Sequence, residues 1–260
     1  MKERIDILLV ERKLAESRVK AQWLIKNGYV FVNERKIIKP SKTIDKTLDI
    51  NLIKEFPYVG RGGIKLEAAI KEFSISVKGK ICVDIGASIG GFTDCLIKHG
   101  ASKVYAIDTA TNLLHPSLIS EEMKEKVIPM LGVDARKYIS LEKIIDICTI
   151  DVTFTSLSAV LPNVKKYLKK DGDIIALVKP IFETEFHKVP KFEIVQDRAQ
   201  LFEIINKLIQ WNKENQIFTF GIIKSPISCK EGSKEFFIHL KLKKNNLNID
   251  YNEIIYDILR

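Results

Sequence analysis

No apolar run in this sequence approaches the ~20 residues that a helix needs to span a bilayer. The opening segment mixes acids with bases and leads into no secretory apolar region or small-residue cleavage site, so a cytoplasmic chain without membrane partners is expected. Cysteine is scarce. Cys82, Cys95, Cys148 and Cys229 never pair as C-x-x-C, and no histidine stands at zinc-ligand spacing from them. Neither a disulfide framework nor a metal centre is therefore expected. Cys82 and Cys148 lie in Val- and Ile-rich runs, where a free thiol behaves as a small buried hydrophobe. Internal repeats, low-complexity tracts and the G-x-G-x-x-G dinucleotide signature are also lacking.

What is present is enough apolar material for a real core, at 46% of 260 residues. That length suits one medium domain plus a small one. The net charge is +9. Residues 1–60 hold 13 Lys and Arg against 8 Asp and Glu, so +5 of the excess sits in under a quarter of the chain. A local basic excess points to an anionic partner.

Residues 4–28 read as two short helices broken at Ala15-Glu16-Ser17. Ser17 caps the second, Val19, Ala21, Leu24 and Ile25 recur at helical spacing, and Asn27-Gly28 ends it. Short extended pieces follow at 29–32, 36–39 and 47–52, with a turn at Asn33-Glu34. A Pro- and Gly-punctuated junction covers 55–64, and a helix is expected over 65–73. Strands are expected at 81–85, 103–108, 127–130, 144–151 and 174–178. Helical stretches at 91–98, 156–169 and 195–212 lie between or after them. That alternation indicates an α/β fold with a parallel sheet covered on both faces. Two last strands, near 216–224 and 235–242, have no helix between them and predict an antiparallel hairpin on the sheet edge. The tail after Asn245 reads as polar, then as an amphipathic helix.

The sharpest local signal is Asp84-Ile85-Gly86-Ala87-Ser88-Ile89-Gly90-Gly91-Phe92-Thr93, which leaves a strand and enters a helix. Small residues let backbone approach a ligand, and the helix start offers free N–H groups. Asp108 ends the next strand, 22 residues after Gly86, the usual place for an acid that holds a ribose diol. Asp84 would repel a pyrophosphate but attract an ammonium, which favours S-adenosylmethionine over a dinucleotide. Asp134, just beyond the third strand, is a candidate for the adenine amino group.

Ligands of open parallel sheets bind beyond the strands' carboxyl ends. Asp151 and Lys179 end the fourth and fifth strands, Lys65 opens the helix after the junction, and Glu235 opens the last strand. Two lysines and two acids can form a mutually neutralising cluster. A lysine desolvated among carboxylates can serve as a base for a ribose hydroxyl, which is a weak acid.

Several blocks now occur in order: Ser17-Arg18, Lys26-Asn27-Gly28-Tyr29-Val30-Phe31-Val32-Asn33, Tyr58-Val59-Gly60-Arg61-Gly62-Gly63-Ile64-Lys65-Leu66, the Gly86–Asp94 loop, Asp151-Val152-Thr153-Phe154, Val178-Lys179-Pro180 and Ser225-Pro226-Ile227. Together they resemble the TlyA family, the haemolysin-like ribosomal RNA 2′-O-methyltransferases, over nearly the whole length. The resemblance implies an S-four type RNA-binding domain over 1–56, a linker over 57–64 and an FtsJ-like class I methyltransferase domain over 65–260. It implies S-adenosylmethionine as cofactor, held by Asp84, Gly86, Ala87, Ser88, Gly90, Gly91, Phe92, Thr93, Asp108 and Asp134. It also implies a catalytic Lys65-Asp151-Lys179-Glu235 set acting on cytidine ribose in ribosomal RNA or subunits, with no metal.

Arg4, Arg12, Arg18, Lys20, Lys36 and Arg61 are the expected phosphate contacts, which would position RNA rather than read its bases. A monomer or weak dimer is expected. The chain departs from the family pattern at Ile89, Thr109-Ala110-Thr111 and Ile181, and at Gly232-Ser233-Lys234-Glu235, where Glu231 competes for the fourth role. Two other readings remain: a ribosome-associated RNA-binding factor with an inactive methyltransferase domain, and a membrane-lytic protein.

Overall fold

The computed structural model describes residues 2–26, 28–33, 35–52, 57–137, 139–141, 144–184, 195, 197–227, 234–244 and 249–260, apart from the Lys36 side chain. The expectations at Asn27, Glu34, Cys229 and Glu231, for the Lys36 side chain, and at the start of the polar tail lie outside the described residues. The chain divides into two compact units, Met1–Arg61 and Gly62–Arg260.

In the first unit, helices α1 (Ile5–Glu11) and α2 (Arg18–Lys26) accompany a three-stranded antiparallel sheet of β3 (Arg35–Ile37), β2 (Val30–Val32) and β5 (Ile50–Leu52). The predicted cap is present, with the Lys20 N–H donating to Ser17 Oγ at 3.3 Å. A second pairing was not foreseen: β1 (Lys2–Arg4) runs antiparallel to β4 (Thr43–Asp45). Three-residue strands carry too little alternation to announce themselves.

Ile5, Leu8, Leu9, Leu24, Ile25 and Val30 fill the core of this unit. Asp6 is fully buried beneath it and accepts from Arg4, Gln22 and Arg18. The Arg4 bond, with those of Gln22 and Arg18, outweighs desolvation and holds this carboxyl far below the ordinary range. Arg12 reaches the carbonyls of Leu48 at 2.9 Å and Lys46 at 2.5 Å.

The second unit centres on a seven-stranded sheet: β6 (Ile81–Ile85), β7 (Lys103–Asp108), β8 (Val127–Leu131), β9 (Ile145–Ile150), β10 (Leu168–Val178), β11 (Phe218–Lys224) and β12 (Phe236–Lys241). Their spatial order is β11-β12-β10-β9-β6-β7-β8. All neighbours from β10 to β8 run parallel, and β12 is antiparallel to both β10 and β11. The order reverses between β6 and β9, which makes their carboxyl ends the switch point of the sheet. Strand residues alternate between faces. Val83, Ile85, Cys148, Ile150, Ala176 and Ile238 belong to one large apolar cluster with α5 (Leu157–Val164), α7 (Arg198–Glu214) and α8 (Tyr251–Leu259). On the alternate positions, Phe237 meets Phe92 of α4 (Gly91–Lys98), and His239 stacks on Phe73 just after α3 (Arg61–Glu72).

Three boundaries differ from expectation. The helix expected over 156–169 stops at Val164, and β10 already begins at Leu168, which pairs with Ile145. The polar stretch Lys169-Lys170-Asp171 hid this extension, and the pairing register shifts between Leu168 and Asp173. Helix α3 starts at Arg61 rather than at Lys65. Its Gly62-Gly63 opening carries no apolar period to read, yet those glycines are needed for packing. A Cβ on Gly62 would stand 3.0 Å from the Phe92 ring, and one on Gly91 3.1 Å from the Gly63 nitrogen. The four-residue α6 (Pro180–Glu183) was also unforeseen.

Candidate active site

The loop after β6 is locked between its neighbours. Gly86 N and Ala87 N both donate to Ile107 O, and Asp151 N donates to Ile85 O. Gly86 adopts φ +83°, and a Cβ there would stand 2.3 Å from the Asp151 carbonyl oxygen. Only glycine allows so close an approach in that conformation. Asp108 ties the loop from the other side, accepting Ser88 N and Ala110 N, each at 2.8 Å.

Beyond the strand ends lies a cavity of about 440 Å³. Ile85, Ile107, Leu113 and Val133 form apolar wall, while Asp108, Asp134 and Asp151 bring carboxylates to it. Of the residues expected to hold a cofactor, Gly86, Ser88, Asp108 and Asp134 line this cavity. Ala87, Gly90, Gly91, Phe92 and Thr93 do not; they shape the loop and its helix. Gly90 is the left-handed residue before α4, and Phe92 packs in the interior.

The expectation that Asp84 meets an ammonium is corrected by the geometry. Its carboxyl is wholly buried and accepts from Thr93 Oγ1 at 2.7 Å and Thr149 Oγ1 at 3.0 Å. It stitches the start of α4 to β9. Burial raises its pKa to about 7 against the opposing hydroxyl bonds. Thr149 was missed in the sequence, although a hydroxyl inside the apolar run Ile147-Cys148-Thr149-Ile150 was a usable signal.

The folded chain keeps the Asp84 proton up to about pH 7, whereas an unfolded chain releases it near pH 4. The stability that this contributes is complete below about pH 4 and is lost as pH rises through 7. Asp84→Asn removes that dependence. The gap in melting temperature between variant and wild type is expected to shift in the variant's favour from pH 4 to 8. A constant gap across that range would contradict the assignment.

The four rim residues come together as two ion pairs. Lys65 Nζ stands 2.5 Å from Glu235 Oε2, with both side chains at or below 10% exposure. Lys179 Nζ stands 2.5 Å from Asp151 Oδ1 and donates to Val152 O and Thr153 Oγ1, both at 3.0 Å. Val178 pairs with Phe236 in the β10–β12 ladder, so Lys179 and Glu235 are the next residues on adjacent strands. Pro180 starts α6 directly after Lys179, whose carbonyl accepts Phe182 N, so the backbone there is fixed.

Among the described residues no group of three or more His, Cys, Asp or Glu could hold a metal ion, and no helix is long and apolar enough to cross a membrane.

Residues 58–242 match the FtsJ-like methyltransferase family. The chain belongs to that family. Residues 3–50 match the S4 domain. Hemolysin A of Brachyspira hyodysenteriae is 37% identical, over 91% of this chain and 98% of its own length. The 16S/23S rRNA (cytidine-2'-O)-methyltransferase TlyA of Mycobacterium tuberculosis is 32% identical, over 92% of this chain and 89% of its own length. A solved structure described as "Putative hemolysin from Streptococcus thermophilus" shares 32% identity with a TM-score of 0.71, over 99% of this chain and 95% of that one.

The FtsJ-like fold here is the class I methyltransferase sheet, and the cofactor is S-adenosylmethionine. The cavity suits it: apolar walls for an adenine, an acid at the end of β7 for a ribose diol, and a second acid after β8.

The basic residues of the S4 segment are more committed than expected. Arg12 spends its guanidinium on two backbone carbonyls, and Lys20, with 11% of its side chain exposed, pairs with Glu16. Both brace the fold, a duty that sequence spacing cannot distinguish from a solvated charge. Arg4 and Arg18 keep 39% and 56% of their side chains exposed while bound to Asp6. Arg61 opens α3 and is half-buried.

Proposed function

We propose that this chain methylates the ribose 2′-hydroxyl of a cytidine in ribosomal RNA, in the cytoplasm, with Lys65, Asp151, Lys179 and Glu235 as the active set. The observation that carries the reading is the rim itself, where two lysine–carboxylate pairs stand on adjacent strand ends and Asp151 also lines the cofactor cavity. An inactive relative would have no reason to keep four charged groups half- or fully buried, since such groups are costly unless paired and used.

S-adenosylmethionine supplies an electrophilic methyl group on a positively charged sulfur. Lys179, having passed one ammonium proton to solvent, would take the proton of the ribose hydroxyl as that oxygen bonds to the methyl carbon and the carbon–sulfur bond breaks, which leaves a neutral thioether. Asp151 then faces the ammonium so formed, and the Val152 carbonyl and Thr153 hydroxyl hold it in place. The Lys65–Glu235 pair fixes α3 to the β12 end and keeps the wall beside Lys179 rigid. Alignment of the hydroxyl against the donor does much of the remaining work. The S4 segment binds folded RNA with Arg4 and Arg18 as phosphate contacts, joined by Arg61 at the start of α3. The relative named for 16S/23S rRNA makes both subunits the substrates to try.

Purified protein with labelled donor is expected to methylate unmodified rRNA or one subunit at a ribose, read by mass mapping of the digested RNA. Cofactor-bound wild type that leaves both rRNAs and both subunits unlabelled would sink the proposal, as would a label on a base.

A further inference from the structure

We infer that Arg136 is a positioning residue that fits Asp134 to recognise the exocyclic amine of the cofactor's adenine. This rests on the reading of Asp134 as the adenine partner. The two side chains close on each other across a single residue, and both line the cavity. Arg136 N donates to Asp134 Oδ1 at 3.0 Å and Arg136 Nε to the same oxygen at 2.9 Å. The terminal NH2 donates to Oδ2 at 2.8 Å, with Nε also 3.1 Å from that atom.

An ionised carboxylate has about four lone-pair directions and no proton to give. The backbone N–H and the Nε–H of Arg136 take the two directions on Oδ1 and the Nη2–H takes one on Oδ2, the single Nε–H being shared between the two oxygens. The direction left over, on Oδ2, can take one donor and nothing else. An adenine amino group is such a donor; the keto oxygen at the same ring position of hypoxanthine would face a fixed negative charge.

The clasp is itself anchored. Asn163, buried on α5, donates its side-chain amide to Arg136 O at 2.6 Å and Ala135 O at 3.3 Å. The guanidinium stays 57% exposed against 24% for Asp134, so the cation covers the carboxylate from the solvent side. The Arg136 bond pulls the Asp134 pKa down to about 2, so the group remains an acceptor at every working pH. Arginine suits this role because its planar fork matches a carboxylate edge, whereas lysine offers a single point of charge.

The test is calorimetric binding of S-adenosylhomocysteine and its deaminated analogue S-inosylhomocysteine to the full chain. Wild type is expected to prefer the amino form by about 10–100-fold, the value of one satisfied against one violated buried hydrogen bond. Arg136→Met is expected to lose most of that preference at unchanged melting temperature, Arg136→Lys to keep part of it, and Asp134→Asn to abolish it. If Asp134→Asn loses the preference while Arg136→Met keeps the wild-type ratio, the role of Arg136 is overturned and that of Asp134 stands. A wild type that binds both compounds equally overturns both roles but leaves the methyltransferase reading intact. Failure of wild type to bind S-adenosylhomocysteine at all would count against that reading itself.

Discussion

Lys179→Ala is expected to lower methyl transfer to rRNA by about 100- to 10,000-fold, the usual contribution of a positioned general base. S-adenosylmethionine binding should change little, because Lys179 is absent from the cavity wall while its partner Asp151 is part of it. Lys179→Arg separates the two duties the residue could have. Arginine keeps the charge beside Asp151 but does not give up its proton in a protein. If Lys179 acts as a base, the arginine variant is as inactive as the alanine one. A variant Lys179→Arg with near-wild-type turnover would show that only the charge matters. Single-turnover rates with saturating donor and RNA make the comparison, since they exclude product release.

The second large effect is expected at Gly86. The added Cβ of Gly86→Ala meets the Asp151 carbonyl oxygen at 2.3 Å, a distance that real contacts do not reach, and it does so at φ +83°. The strained backbone alone costs of the order of 1–3 kcal/mol. The larger consequence is positional. Relief of the clash has to move either the loop or the start of the segment after β9, and that segment carries Asp151, Val152 and Thr153, the three partners of Lys179. Displacement of a reacting group by about 1 Å can cost 100-fold in rate. Gly86→Ala is therefore expected to weaken donor binding and to slow transfer together, with a lowered melting temperature. Wild-type affinity and rate in this variant would mean that the loop does not hold the site as described. Gly90→Ala makes the milder comparison, because its nearest obstacles are the ends of the Leu118 and Leu114 side chains rather than backbone.

Much of the fold was legible because it follows from periodicity. The β6 and β7 strands and helix α4 fall where alternating Val/Ile runs and the Gly-rich loop place them, and the lack of a helical pattern in the sequence between the last two strands announced their antiparallel pairing. Where local patterns misled, a contact distant in sequence decided. β10 extends back through Lys169 and Lys170 because Leu168 finds Ile145 beside it, and no window around residue 168 contains that information. Helix α3 opens on two glycines because α4 lies against them.

The basic residues make the same point for function. A guanidinium at Arg12 reads as a phosphate ligand from composition, yet carbonyls more than thirty residues away take both its ends.

By itself, the order of residues determined the chemistry available to this chain: a glycine turn leaving a buried strand, acids after the second and third strands, and lysines and carboxylates at strand ends. These are local matters, since small residues permit close approach and a charged group ending an apolar strand must lie at the rim. Only the tertiary structure decided the partnerships. It joined Lys65 to Glu235 across 170 positions, turned Asp84 inward onto two hydroxyls and closed Arg136 over Asp134. Pairing energies depend on distance and solvent exclusion, and both are set by which strands become neighbours rather than by which residues adjoin in sequence.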